Sequence, residues 1–562
     1  MYYKKNFIFT LSLFVFFLLI PSFALAGGLE IDSFGPYSID TDNDTLTFKA
    51  DISWNYAWRN DVSHDAVWIF MKYYDPDDTE WCHATMAATG TNPTGFVPTQ
   101  GAEIVVPDDG LGFFIRRATN GTSNALVLDP VEFVWDYGTD GLLDSDVQDA
   151  TTTFRLFGIE MVYIPSGGFY VGDGDSSFLN GNFEDATSGD PKFIDSEDLL
   201  TLGGGGTGSL GNNNAAGMDT ADDFNDSTSK TLPETFPKGY NAFYLMKYEI
   251  TNGQYRDFLN TLTYEQQVSR TENAPNSAAG TRAMDDSFGN VYRNRIEIET
   301  SGDDSPSTPA VYACDLDNDG SYDETTDGEW IALTFLYWDD LAAFLDWAAL
   351  RPWTELEFEK ACRGPLDAIE DEYAWGTTDY KSGTRYTLSN AGQANEGIAT
   401  NYSTTTGNQV TSGSYDSGNA GPMRVGIFAG NTSNTGRETA GAGYYGNMEL
   451  TGNLSEQVVT VGHATGRNFK GTHGDGELTD DTVTGYEGNA TNLDWPGIDS
   501  TNARGVTGST GSGSRGGGWF DNISLGPIVS KRIEAADVST SYIFKKGGRG
   551  ARTAPVFSNM GN

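Results

Sequence analysis

Cysteine, histidine and positive charge are all scarce in this 562-residue chain. Its three cysteines, Cys82, Cys314 and Cys362, are too few for a disulfide framework at this length. A Cys314–Cys362 bridge and a buried Cys362 thiol both fit the sequence. The four histidines, His64, His83, His463 and His473, are scattered, so no Ser/His/Asp arrangement can be argued from them. No phosphate-cradling GxxxxGK[ST] loop occurs either. Lys and Arg total 34 against 79 Asp and Glu, a net charge of −45. Such a field repels nucleic-acid phosphates and anionic lipid, which argues against both as partners. It suits divalent cations, and a solvated acidic surface accounts for it equally well. Past residue 20 no apolar run is long enough to cross a bilayer.

What is present starts with MYYKK, an apolar run over 7–20 and Ala24-Leu25-Ala26. A basic start, a short apolar core and an A-x-A site read as a secretory signal peptide over 1–26, which places the mature protein outside the cytoplasm. Glycine is abundant at 68 residues while aromatics reach 13%, so the chain reads as loop-rich and globular rather than disordered. Residues 27–157 read as a separate all-β domain, with a β-sandwich as the expected architecture. Leu46, Phe48, Ala50, Ile52 and Trp54 alternate with polar residues at the period of a half-buried strand. AVWIFMKYY (66–74) and VEFVWDY (131–137) are further strands, with turn signals at 75–78 and 92–93. Two helices stand out later. Leu341, Phe344, Leu345 and Ala348 share one face, and Thr354 with Glu357 forms a capping box that opens a second helix through Cys362. The Gly/Asn-rich stretches at 173–222 and 401–443 read as flexible loops.

One site is legible without any family. Asp315, Asp317, Asp319 and Asp323 occupy positions 1, 3, 5 and 9 of a DxDxDG loop with Gly320 at position 6. That is the calcium-loop spacing: alternation aims oxygens inward and glycine permits the turn. The glutamate of position 12 is missing, since Thr326 stands there, with Asp327 and Glu329 as the available substitutes.

Seven motifs then recur in order: IEMVYIPSGGF (159–169), FYLMKYEITNGQYRDFL (243–259), LRPWTELEFEKACRG (350–364), YAWG (373–376), MELTGNLSEQ (448–457), RGGGW (515–519) and GGRGAR (547–552). Together they resemble the formylglycine-generating enzyme, or sulfatase-modifying factor, family. The resemblance implies an α+β fold, with a loop-rich, C-type-lectin-like domain over 158–557 following the β-sandwich. It implies a calcium site on the side chains of Glu449 and Glu456 and the carbonyls of Gly452 and Leu454, and a second family calcium ligand at Asn395. Oxygen-only ligand sets favour calcium. The same resemblance places the family's two copper-binding cysteines at Asp521 and Gly526, and no cysteine follows Cys362. Thiolates select Cu(I), and Asp with Gly cannot replace them, so copper is not expected. The iron-dependent branch of the family uses a His-x3-His-x-Glu set that none of the four histidines provides.

The residues near RGGGW read as a recognition surface: Trp519, Phe520, Asp521, Asn522 and Arg532 are the candidate ligand contacts, Trp519 being readable as core as well. The sequence therefore points to a secreted or cell-surface, calcium-stabilised, non-catalytic binding protein for a glycan or protein ligand. A self-assembling component of a surface layer or filament is one alternative. A modifying enzyme using Asp521 and Glu534 as acid and base is the other.

Overall fold

The structure is a computed structural model. It describes residues 28–556 apart from 77, 100, 175–180, 213–221, 225–227, 285–291, 323, 417, 432, 435, 481–484 and 524–525. The signal-peptide reading of 1–26 and the Asp323 ligand lie outside the described residues.

Strands predominate and helices are few and short. The strand Thr45–Arg59 buries Leu46, Phe48, Ala50, Ile52 and Trp54 and turns the residues between them outward, as the period-2 pattern requires. It pairs antiparallel with Glu30–Asp40 on one side and Gly121–Asp136 on the other, closing a three-stranded sheet. The strand Asp65–Asp75 belongs to a different, eight-stranded sheet, beside Phe113–Arg117 and Thr153–Ile164. Its run AVWIFMKY does not alternate because both of its faces are covered. Val67, Ile69, Met71 and Tyr73 join Phe48, Ile52, Trp54, Phe133 and Trp135 of the three-stranded sheet in one apolar cluster. Ala66, Trp68 and Phe70 point the other way, into the main core with Phe344, Leu345 and Trp347.

The expected boundary between 157 and 158 falls inside the eight-stranded sheet. The strand Thr153–Ile164 runs straight through it, pairing from Asp65↔Val162 to Tyr74↔Thr153 on one edge and with Phe243–Met246 on the other. The N-terminal part is therefore not separate: it shares a sheet and a core with the rest of the chain. Trp68 Nε1 donates to the Ala348 carbonyl at 2.9 Å, and buried Lys247 pairs with buried Asp65 at 2.8 Å across the same seam. A strand buried on both faces carries no sequence mark of which module owns it.

The helix signals hold. Trp338–Trp347 is buried along its length, and Glu355–Arg363 opens on Thr354, whose Oγ1 accepts from the Glu357 N–H while Glu357 accepts from the Thr354 N–H. The described part of 173–222 is more ordered than its composition suggests. Leu200–Leu202 and Leu210–Asn212 are strands of a small sheet, and three consecutive glycines, Gly203 to Gly205, take positive φ to turn the chain between them. None of the three cysteines is in a disulfide, so no Cys314–Cys362 bridge forms. Among the described residues no helix is long and apolar enough to cross a membrane.

Asp346, on the helix Trp338–Trp347, is fully buried and accepts from the N–H groups of Asp475 (2.9 Å) and Thr491 (2.7 Å), tying the 475–491 segment to the core. Burial, with the Asp475 charge nearby, raises its pKa to about 8, and burial raises that of Glu449 to about 7. Both groups hold a proton more tightly folded than unfolded, so their contribution is greatest in acid and is lost as pH rises through their folded pKa values. The histidines His64, His83 and His473, kept neutral by burial, act in the opposite sense and only below about pH 6.5. Above about pH 6.5 the histidines no longer contribute, and the raised carboxyls, among them Asp340 at about 8 and Glu80 and Asp327 at about 7, all act in the one direction. Stability measured in chelator should fall between about pH 6.5 and pH 8; thermal unfolding at constant ionic strength checks it, and a flat or rising midpoint would contradict the assignment.

Candidate functional site

The strand Ser512–Arg515 pairs antiparallel with Ser455–Val459, which pairs in parallel with Lys546–Gly547. The glycine run comes next. A Cβ on Gly516 would meet the Leu450 carbonyl at 2.8 Å and one on Gly518 the Lys545 carbonyl at 2.8 Å, so only glycine lets the chain pass here. Trp519 then turns inward: it is 1% exposed, and its Nε1 donates to the Phe544 carbonyl at 3.0 Å. It is a core residue and not a ligand contact, because its ring fills the space beneath the loop against Tyr292, Tyr415 and Phe544.

Phe520 faces outward, 46% exposed, beside the exposed ring of Tyr542. Asp521 accepts the Gly518 N–H at 2.8 Å and receives Lys545 Nζ on both oxygens, at 2.9 and 3.0 Å. Lys545 also reaches Glu534 at 2.8 Å. Burial works against the Lys545 charge, but Glu534 and Asp521 outweigh it and hold its pKa above the ordinary range. Phe520, Asp521, Asn522, Lys531, Glu534 and Tyr542 line a groove of about 550 Å³. The position expected for one catalytic thiol thus carries a carboxylate engaged by an ammonium. The other carries Gly526, where an added Cβ would lie 2.9 Å from the Asp521 Cβ. These residues do not fit copper.

Arg532, also expected in the groove, is buried outright. Its guanidinium binds Glu355 at 2.7 and 3.0 Å and Asp222 at 2.9 Å. It belongs to a buried chain of charges below the groove: Arg515 bridges Glu355 and Glu359, and Arg363 joins Glu359 to Glu372. The local sequence marks Glu355 and Glu357 as helix-start residues and nothing more. The signal for the chain is the i, i+4 spacing of Glu355 and Glu359, which puts both on one helix face.

The other expected oxygens fall in three places. Glu449 and Glu456 are buried, and each has one oxygen bonded, to the Gly426 N–H at 2.8 Å and to Arg549 Nε at 2.9 Å respectively. The second oxygen of each is buried with no hydrogen-bond partner among the described residues. Gly452, at φ +78°, and Leu454 are buried between them, and a third carboxylate, Glu249, accepts the Leu454 N–H at 2.9 Å. Two orphaned carboxylate oxygens fit a hard cation. Asn395 is exposed; its neighbour Glu396 is the buried residue there, held by Arg293 and Arg424. In the acidic loop, Asp315 and Asp317 come together with Asp327 instead of Asp319. Asp319 turns aside and accepts the Ser321 N–H at 2.7 Å.

Comparison with curated proteins finds no match to this sequence. A family profile for the sulfatase-modifying factor enzyme 1-like domain matches residues 156–525, which include the glycine loop, Asp521, Glu449 and Glu456. With most of its length under that profile, the chain belongs to the sulfatase-modifying factor enzyme 1-like family.

Proposed function

We propose that this protein is an exported, calcium-stabilised, non-catalytic member of its family that binds a glycan at the cell surface through the groove beside the glycine loop. One observation carries the reading. Where the family places reactive thiols, Asp521 is held by Lys545, which also holds Glu534, at a groove edged by the exposed rings of Phe520 and Tyr542. Aromatic faces cover the apolar face of a sugar, and fixed carboxylates and amides take its hydroxyls. Export rests on the basic, apolar and A-x-A pattern of the first 26 residues. In the N-terminal part, the three-stranded sheet packed on the larger one is read as a β-sandwich that braces the groove domain.

The test is a glycan array probed with the mature protein, beside Phe520→Ala and Tyr542→Ala. Each ring is half-exposed, so folding should survive, and bound glycans should weaken at least tenfold. A chain that binds no glycan, or that oxidises a cysteine peptide with copper and oxygen, would sink the proposal.

A further inference from the structure

The acidic loop comes together on Asp327, one of the two substitutes its sequence offers for position 12, and not on Asp319. Asp315 ends the strand Val311–Cys314 and is buried; its two oxygens accept the N–H groups of Asp319 (3.1 Å) and Gly320 (3.2 Å), which folds the loop back over it. Asn318 at φ +58° and Gly320 at φ +80° make that return. Asp317, exposed, receives the Thr326 hydroxyl at 2.7 Å. Asp327 then enters from below, 1% exposed. One of its oxygens takes the Glu324 N–H at 2.6 Å, and the other is buried with no hydrogen-bond partner among the described residues. One oxygen from each of Asp315, Asp317 and Asp327 lies within 4.8 Å of the others.

We infer that Asp315, Asp317 and Asp327 form a calcium site that fastens the end of the strand Val311–Cys314 to the segment 324–331. Two observations carry it: the convergence of three carboxylates, and a buried Asp327 oxygen that no hydrogen bond among the described residues satisfies. The nearby guanidinium of Arg295 is committed to Asn318 and Glu297. The donors select the ion: carboxylates on an irregular loop suit the flexible oxygen coordination of calcium, whereas magnesium demands a near-ideal octahedron. An all-oxygen set without imidazole or thiolate disfavours zinc and copper. The segment fastened in this way is structural: the Glu329 carbonyl accepts the Gly253 N–H at 2.9 Å, at the start of the helix Asn252–Leu259.

Calorimetric titration of the chelated full-length protein with calcium chloride tests the site. Asp317 is exposed, so Asp317→Asn should fold as the parent does while one class of site weakens at least tenfold. Asp319→Asn should titrate like the parent, because that carboxylate is turned away. Glu449→Gln/Glu456→Gln should leave this class of site intact, which separates it from the other candidate. Magnesium should bind more weakly than calcium. An Asp317→Asn titration unchanged from the parent, an Asp319→Asn loss as large as that of Asp317→Asn, or a parent protein that takes up no calcium would each overturn the assignment.

Discussion

A chain shortened to begin at Gly158 should not fold. The cut falls inside the strand Thr153–Ile164, and it removes Asp65–Asp75, the partner along nearly all of that strand. Trp68, Phe70 and Phe114 leave the main core with it. Truncating one buried aromatic costs about 3–5 kcal/mol, and three together match the whole stability of an ordinary domain, roughly 5–15 kcal/mol. The charge balance worsens as well. Lys247, fully buried, loses Asp65 and keeps only the more distant Glu160, and buried Arg552 loses Asp109. A chain starting at Gly28 should show one cooperative thermal transition with a strong near-ultraviolet signal from its packed tryptophans. The shortened chain should be insoluble, or should melt without a transition. A soluble product from Gly158 with a sharp transition would show that the two cores are energetically separate despite the shared sheet.

How far the sequence could be read depended on whether each signal was local. The capping box at Thr354 and the alternation from Leu46 to Trp54 are written within a few residues, and the structure has them where the pattern puts them. The family motifs locate the glycine loop and the outward Phe520 beside it. The readings that failed were set by contacts remote in sequence. Arg532 follows Lys531 in a polar stretch and reads as surface, since unpaired arginines are rarely buried. Its partners, Glu355 and Asp222, lie 177 and 310 residues away, so nothing nearby reveals that it is interior. Asp319 is the exception: it sits at the right loop spacing but commits its carboxylate to Ser321, only two residues on, while Asp327, one of the two substitutes the sequence offers, comes together with Asp315 and Asp317. The pairing of Thr153–Ile164 with Asp65–Asp75 across residue 157 is just as hidden: a strand that joins two cores looks from its own residues like a strand in either.

Arg532→Met should cost about 3–5 kcal/mol, the usual loss when one partner of a buried ion pair is removed and the other stays charged in the interior. The size depends on which groups remain. Glu355 keeps Arg515 at 3.0 Å, but Asp222 loses the guanidinium that stood 2.9 Å away, and the apolar methionine offers no hydrogen bond in exchange. The cost is therefore mainly stranded negative charge and not lost volume. Two consequences separate these causes. Arg532→Met/Asp222→Asn should recover part of the loss, because the stranded carboxylate is gone; if the loss came from packing, the double variant would be no better than the single. The deficit should also shrink as pH falls, since burial raises the Asp222 pKa even beside Arg532, and more so without it. Equilibrium urea unfolding of the parent, the single and the double variant at about pH 7.5 and about pH 5.5 measures all of this, and a single-variant loss below about 1 kcal/mol would mean that the buried chain carries little net energy. Arg515 couples the result to the groove, because it both binds Glu355 and precedes Gly516 of the glycine loop. If the charge chain holds that loop in place, ligand affinity of the groove should fall in Arg532→Met even at temperatures where the variant is fully folded.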